Sequence, residues 1–179
     1  MKTWIALFRG INVMGNNKLP MKDLAQLLRG LKLRDARTYI QSGNAVFASA
    51  GTAAALAARI AAAIERQFGF RPYVVLLEAR ELAQAVANNP FPEAEVNPTS
   101  LHLWFLEERP AAAGPAALES CRVASERFAL RGKVLYLHAP EGFGTSKLAA
   151  RAEKLLGCRG TARNWRSVTT LLAMARGEK

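Results

Sequence analysis

The stretch ARTYIQSGNAVFAS, Ala36–Ser49, reads as two strand-like runs, ARTYIQ and NAVFAS, hinged at Ser42-Gly43. Glycine supplies the positive φ that a tight hairpin turn requires, and the aromatic and β-branched residues on either side suit a pleated surface. Upstream, TWIALFRG (Thr3–Gly10) is a short apolar run closed by glycine, the signature of a buried strand. Pro20 suits a first helical turn, and Met21, Leu24, Leu27, Leu28 and Leu31 then recur at three- and four-residue steps, marking one buried helix face. Downstream, Leu56, Ile60, Ile64 and Phe68 fall four apart in an alanine-rich helix that Gly69 caps. RPYVVLLE is the next strand, followed by a short helix around Arg80–Val86. With the hairpin in the middle, the order is strand, helix, strand, strand, helix, strand, which is the ferredoxin-like or split βαβ plan.

NNPFPEAEVNP (Asn88–Pro98) concentrates three prolines and three asparagines and is the best linker candidate. Beyond it the plan is expected to repeat. SLHLWFLEE is a strand, a short helix lies near Ala116–Cys121, and SERFALRGKVLYLHA is a hairpin turning at Arg131-Gly132. A helix over Ser146–Leu156, a short strand in CRGTARN and a last helix marked by Val168, Leu171, Leu172 and Ala175 complete it. The expected fold is α+β: two ferredoxin-like half-domains in tandem, over residues 1–97 and 98–179, with mainly antiparallel sheets and helices on one face.

At 179 residues and 50% hydrophobic, the chain can bury one ordinary core or two small ones. Lys and Arg outnumber Asp and Glu by 25 to 14, giving +11, which favours anionic partners. The charge is spread along the chain without a disordered basic tail. MKTWIALFRG is too short and too soon interrupted by Arg9 for a signal peptide or a membrane span, so a cytoplasmic protein with no membrane partner is expected. Cys121 and Cys158 have neither a CxxC spacing nor nearby histidines, and His102 and His138 stand alone in strand runs, so no metal site is expected. Asp23 and Asp35 are the only aspartates, and the adjacent Glu107 and Glu108 point to opposite faces of a strand end, which disfavours a metal-dependent hydrolase.

Four motifs, RGINVMGNNKLP, YIQSGN, GFGTSKL and ARNWRSV, occur in an order that resembles the bacterial family known as domain of unknown function sixteen ninety-seven. The resemblance covers nearly the whole chain. It implies an α+β fold with two similar halves and carries over no established activity and no catalytic residues. Met14, where a glycine is common, and Thr145, where a basic residue is frequent, depart from the usual pattern.

Topology pairs the motifs. In a split βαβ sheet the first two strands run parallel with the third between them, so the end of the first strand meets the hairpin. Arg9, Asn12, Gln41, Ser42 and Asn44, with Lys18 nearby, are therefore expected to form one polar cluster able to hold a phosphate, a carboxylate or a base edge. Equally, Asn12 and Asn44 can tie down their own loops, as asparagine commonly does at turns. In the second half GFGTSKL and TARNW should share a sheet edge. Thr145 or Ser146 and Asn164 would cap two helices there, alongside Lys147, Arg163 and Arg166 as a candidate anion site. The alternative is a routine turn and cap, and GFGTSKL is no P-loop, since that motif requires Gly-Lys followed by Ser or Thr. His102 and Trp104 share one strand face and Tyr136 and His138 another. If the two faces coincided, they would resemble an aromatic platform for RNA bases, although burial is the commoner use of aromatics.

No cofactor motif and no nucleophile with an adjacent base is evident. The leading functional class is binding of an anionic ligand, nucleic acid or nucleotide. The others are an enzyme acting on a phosphorylated or nucleotide-like small molecule, with Arg9, Lys18, Lys147 and Arg163 as electrostatic stabilisers, and a protein-interaction module whose glycine loops are purely structural.

Overall fold

The protein is described by a computed structural model covering residues 1–13, 15–111 and 114–178. The departure noted at Met14 lies outside the described residues. By compactness the chain divides into Met1–Ala83 with Thr170–Lys179, and Gln84–Thr169.

In the first unit, β1 (Lys2–Arg9), α1 (Met21–Gly30), β2 (Arg34–Tyr39), β3 (Asn44–Ser49), α2 (Ala53–Phe68) and β4 (Tyr73–Glu78) are followed by α3 (Ala79–Ala87), along which the division falls. The sheet order is β2-β3-β1-β4, and every neighbouring pair is antiparallel, so β1 and β2 run parallel as the split βαβ plan requires. Pairing of Trp4 with Phe47 and Ala6 with Ala45 puts these side chains on one sheet face, together with Phe8. Leu24 and Leu28 of α1 and Ile60 and Ile64 of α2 close over that face as one core. The opposite face carries Ile5, Leu7 and Val46, which are also buried.

The helices end where their sequences say. Thr52 accepts a hydrogen bond from the Ala55 N–H at the start of α2, and Gly69 ends it in the left-handed conformation. The hairpin differs in detail from the sequence expectation. Tyr39 pairs with Asn44, so the loop spans 40–43 and is wider than a two-residue turn. The reason is Asn44, which donates through Nδ2 to Tyr39 O (3.0 Å) and Ser42 Oγ (3.2 Å) and closes the wider loop from inside.

The second unit repeats the strand order. β5 (Leu101–Leu106), α4 (Gly114–Glu119), β6 (Arg127–Arg131), β7 (Val134–His138), α5 (Lys147–Leu156) and β8 (Gly160–Asn164) lead into α6 (Trp165–Arg176), and the sheet order is β6-β7-β5-β8. Leu118 of α4 and Leu148, Ala152 and Leu156 of α5 pack with Leu135 and Leu137 of β7 on one sheet face. The proline-rich linker candidate is not extended, since Pro92–Val96 forms a 3₁₀ turn and the Arg127 guanidinium pairs with Glu93. Among the described residues no helix is long and apolar enough to cross a membrane.

Candidate functional site

The loop after β1 is held down at both ends by buried side chains, Ile11 and Leu19, which belong to the core of the first unit. Between them Asn12 and Asn17 adopt φ of +54° and +49°, the left-handed region that asparagine tolerates better than most residues. Both carboxamides bond main chain. Asn12 Nδ2 donates to Leu19 O and to Gln41 O, each at 2.9 Å, and its Oδ1 accepts from Leu19 N–H at 2.8 Å. Asn17 Nδ2 donates to Gly10 O at 2.7 Å. The structure thus brings RGIN and QSGN together at one sheet edge, with Leu7 paired to Asn44 and Phe8 N–H donating to Gly43 O at 2.9 Å.

The chemistry of the junction is mainly self-recognition. Asn44 is fully buried, and Asn12 acts as a clamp between its own loop and the hairpin. Arg9, Lys18, Gln41 and Ser42 are the exposed members. Gly43 is required sterically. With φ at +83°, an added Cβ would lie 2.5 Å from Ile11 Cδ1 and 2.9 Å from Phe8 Cβ. Ile40, a β-branched residue at φ +45° in the same loop, is a strained position that the sequence pattern did not signal.

At the other edge, β7 and β8 end beside the start of β5, as the pairs Leu101–His138 and His102–Asn164 show. Ser146 Oγ accepts from Ala149 N–H (3.0 Å) at the start of α5, and Asn164 Oδ1 accepts from Ser167 N–H (2.9 Å) at the start of α6. Thr145 Oγ1 donates to Gly142 O at 3.0 Å and so braces the turn. Lys147 is exposed. Arg163 is buried, with Nη1 donating to Thr161 Oγ1 and Ala162 O at 2.8 Å each, and burial pushes its pKa down to about 10, which leaves it cationic at neutral pH.

Register settles the aromatic question. Leu103 pairs with Tyr136 and His102 with Leu137, so Tyr136 and His138 lie on the sheet face opposite His102 and Trp104. The two faces do not coincide, and no aromatic platform forms. Tyr136 is buried and donates its hydroxyl to Ala85 O at 2.7 Å. On the other face Phe143, from the GFG turn, stacks on the His102 ring with centroids 3.8 Å apart and also leans on Trp104. This packing role of the motif's phenylalanine was not foreseen from sequence. It becomes visible only when the turn after β7 is placed beside β5.

His102 Nδ1 is buried and has no hydrogen-bond partner, and burial pushes the ring's pKa down to about 4. The unfolded chain, with an imidazole near 6.5, takes up the proton first. The contribution of His102 to stability is therefore complete above about pH 6.5, falls as the pH drops towards 4 and levels off below that. His102→Phe, which keeps the stack on Phe143, is expected to flatten the pH dependence of the urea midpoint in this window. An unchanged acid limb would contradict the assignment.

Among the described residues no group of three or more His, Cys, Asp and Glu side chains is placed to hold a metal ion. The comparisons with known proteins agree with this fold. Residues 1–136 match the family described as Protein of unknown function (DUF1697). The chain belongs to that family. The matched residues include the RGIN and QSGN edge, whereas GFGTSKL and ARNW lie beyond them. The chain is also similar to a solved structure, the conserved bacterial protein SP0830 from Streptococcus pneumoniae. The TM-score is 0.76 at 22% identity, covering 97% of this chain and 98% of that one, a likeness of fold. No curated protein matches the chain.

Proposed function

We propose that the protein is a cytoplasmic binding protein for an anionic ligand, with nucleic acid ahead of nucleotides. In this reading residues 1–97 and 98–179 are its two halves, each presenting one pair of motifs. The observation that supports it most is the distribution of charge. The protein carries +11, and several of its carboxylates are already paired: Glu78 with Lys2 and Arg80, Glu65 with Arg71, Glu119 with Arg122 and Glu93 with Arg127. These pairs leave a larger set of exposed Lys and Arg to face solvent. Asn12, Asn44, Ser146 and Asn164 serve as scaffolding in this reading. Among the motif residues, the exposed loop groups Arg9, Lys18, Gln41, Ser42 and Lys147 are the ones placed to meet the ligand.

The test is fluorescence anisotropy with a labelled random-sequence DNA duplex over a salt series. Binding is expected to weaken linearly in log–log form, by roughly a thousand-fold between 50 and 200 mM salt if about six phosphates are contacted. No binding at 50 mM salt, or binding indifferent to salt, would refute the proposal.

A further inference from the structure

Within the first unit the cations are not evenly neutralised. Lys2, Arg71 and Arg80 each have a carboxylate at 2.5–2.8 Å. Arg29, Lys32, Arg34, Arg37, Arg59 and Arg66 are all exposed, and among the described residues none of them pairs with a carboxylate. The fold gathers these residues from distant parts of the chain. Arg29 lies in the last turn of α1 and Lys32 just beyond it, and Arg34 opens β2. Arg37, which pairs with Val46 on the sheet face away from α1 and α2 and donates through Nη2 to Met174 O at 2.6 Å, lines one open depression with Arg29 at the sheet edge. Arg59 reaches from α2 to Leu31 O at 3.3 Å, and Arg66 lines a second open groove with Gly30 and Leu31. Arg59 and Arg66 are seven residues apart, so they project from the same side of α2 about 10 Å from one another. Asp35 lies in β2 between Arg34 and Arg37, and the nearby Glu65 carboxylate is held by Arg71.

Resting on the nucleic-acid reading above, the geometry points to the α1–α2 side of this edge, with Arg29, Lys32, Arg59 and Arg66, as the surface that takes the phosphate backbone of a nucleic-acid duplex. Its cations are mostly arginine, whose planar fork matches phosphate oxygens better than an ammonium does. The depressions are open, which suits a polymer running across them and not an enclosed small molecule. Among the described residues no exposed aromatic side chain accompanies the cations, so there is no stacking platform of the kind single-strand binders use. Met1 lies against Arg34. The other large exposed hydrophobics, Val13, Ile40, Val96 and Val123, belong to other segments, so the face lacks the apolar wedge of a membrane-binding surface.

The side chains of Arg29, Lys32 and Arg66 make no hydrogen bond among the described residues, so Arg29→Ala/Lys32→Ala/Arg66→Ala should fold as the parent does, which a thermal melt checks. In the anisotropy salt series this variant is expected to lower the slope of log K against log salt by about 2–3, close to one unit for each phosphate that is no longer neutralised. A variant that removes the same charge elsewhere, Arg80→Ala/Arg131→Ala/Lys154→Ala, is expected to keep the slope. If the parent binds and the first variant keeps its slope, this surface is wrong while the nucleic-acid reading stands. If the parent binds no duplex at 50 mM salt, both fail. A single strand bound as tightly as the duplex, or phosphatidylserine vesicles or polyglutamate bound through the same three residues in preference to it, would also overturn the inference.

Discussion

Gly43→Ala is expected to destabilise the first unit by about 2–4 kcal/mol, the sum of a left-handed conformation forced on an L-residue and of overpacking. In a chain of this length that is a fall of roughly 5–15 °C in Tm. The new methyl group meets Ile11 Cδ1 at 2.5 Å, which a rotamer change relieves, and Phe8 Cβ at 2.9 Å, which no rotamer change relieves. Ile11→Val combined with Gly43→Ala should therefore cost less than the sum of the two single changes, because part of the clash goes with the deleted methyl. Strict additivity in denaturant melts, or a Gly43→Ala stability within about 0.5 kcal/mol of the parent, would show that the loop relaxes away from β1.

The second large effect is expected at Asn12. Alanine there removes two donated bonds and one accepted bond and leaves a less tolerant residue at φ +54°, a loss of about 2–3 kcal/mol. Asn12→Gly removes the same bonds but restores conformational freedom, so it should be the milder change by about 1 kcal/mol. Duplex binding separates the clamp from a ligand-binding role. The melting temperature is expected to fall while the salt slope of the folded variant stays as in the parent. A slope change without a stability change would mean that Asn12 touches the ligand.

Much of this architecture is legible in the residues themselves. Leu56, Ile60, Ile64 and Phe68 announce a helix by spacing, Gly69 its end, and ARTYIQSGNAVFAS the hairpin that selects the split βαβ plan. That plan in turn places RGIN beside QSGN from strand order alone. What strand order could not show was whether the polar groups at that junction face solvent or the main chain. The answer depends on angstrom-scale placement, such as Asn12 Oδ1 at 2.8 Å from Leu19 N. Faces were harder still. His102 and Tyr136 lie on opposite sides of one sheet because of a register that a shift of one residue would reverse. The basic face was hidden for a different reason. Arg29 and Lys32 are far in sequence from Arg59 and Arg66 and come together only because α1 and α2 pack side by side, so a scan for runs of like charge passes over them.

The irregularity of β2 carries a further meaning. This strand ends its sheet, and its pairing with β3 shifts register between Arg34 and Arg37, with Asp35 at φ +53° between them. An outer strand with a regular row of unpaired amides invites another copy of the chain to add itself, and a bulge flanked by charges discourages that. The arginines beside the bulge thus oppose edge-to-edge association through β2 whether or not a polyanion is present. Stripping Arg34 and Arg37 of charge should first raise the protein's tendency to aggregate, and light scattering at low salt is the measurement that would reveal it.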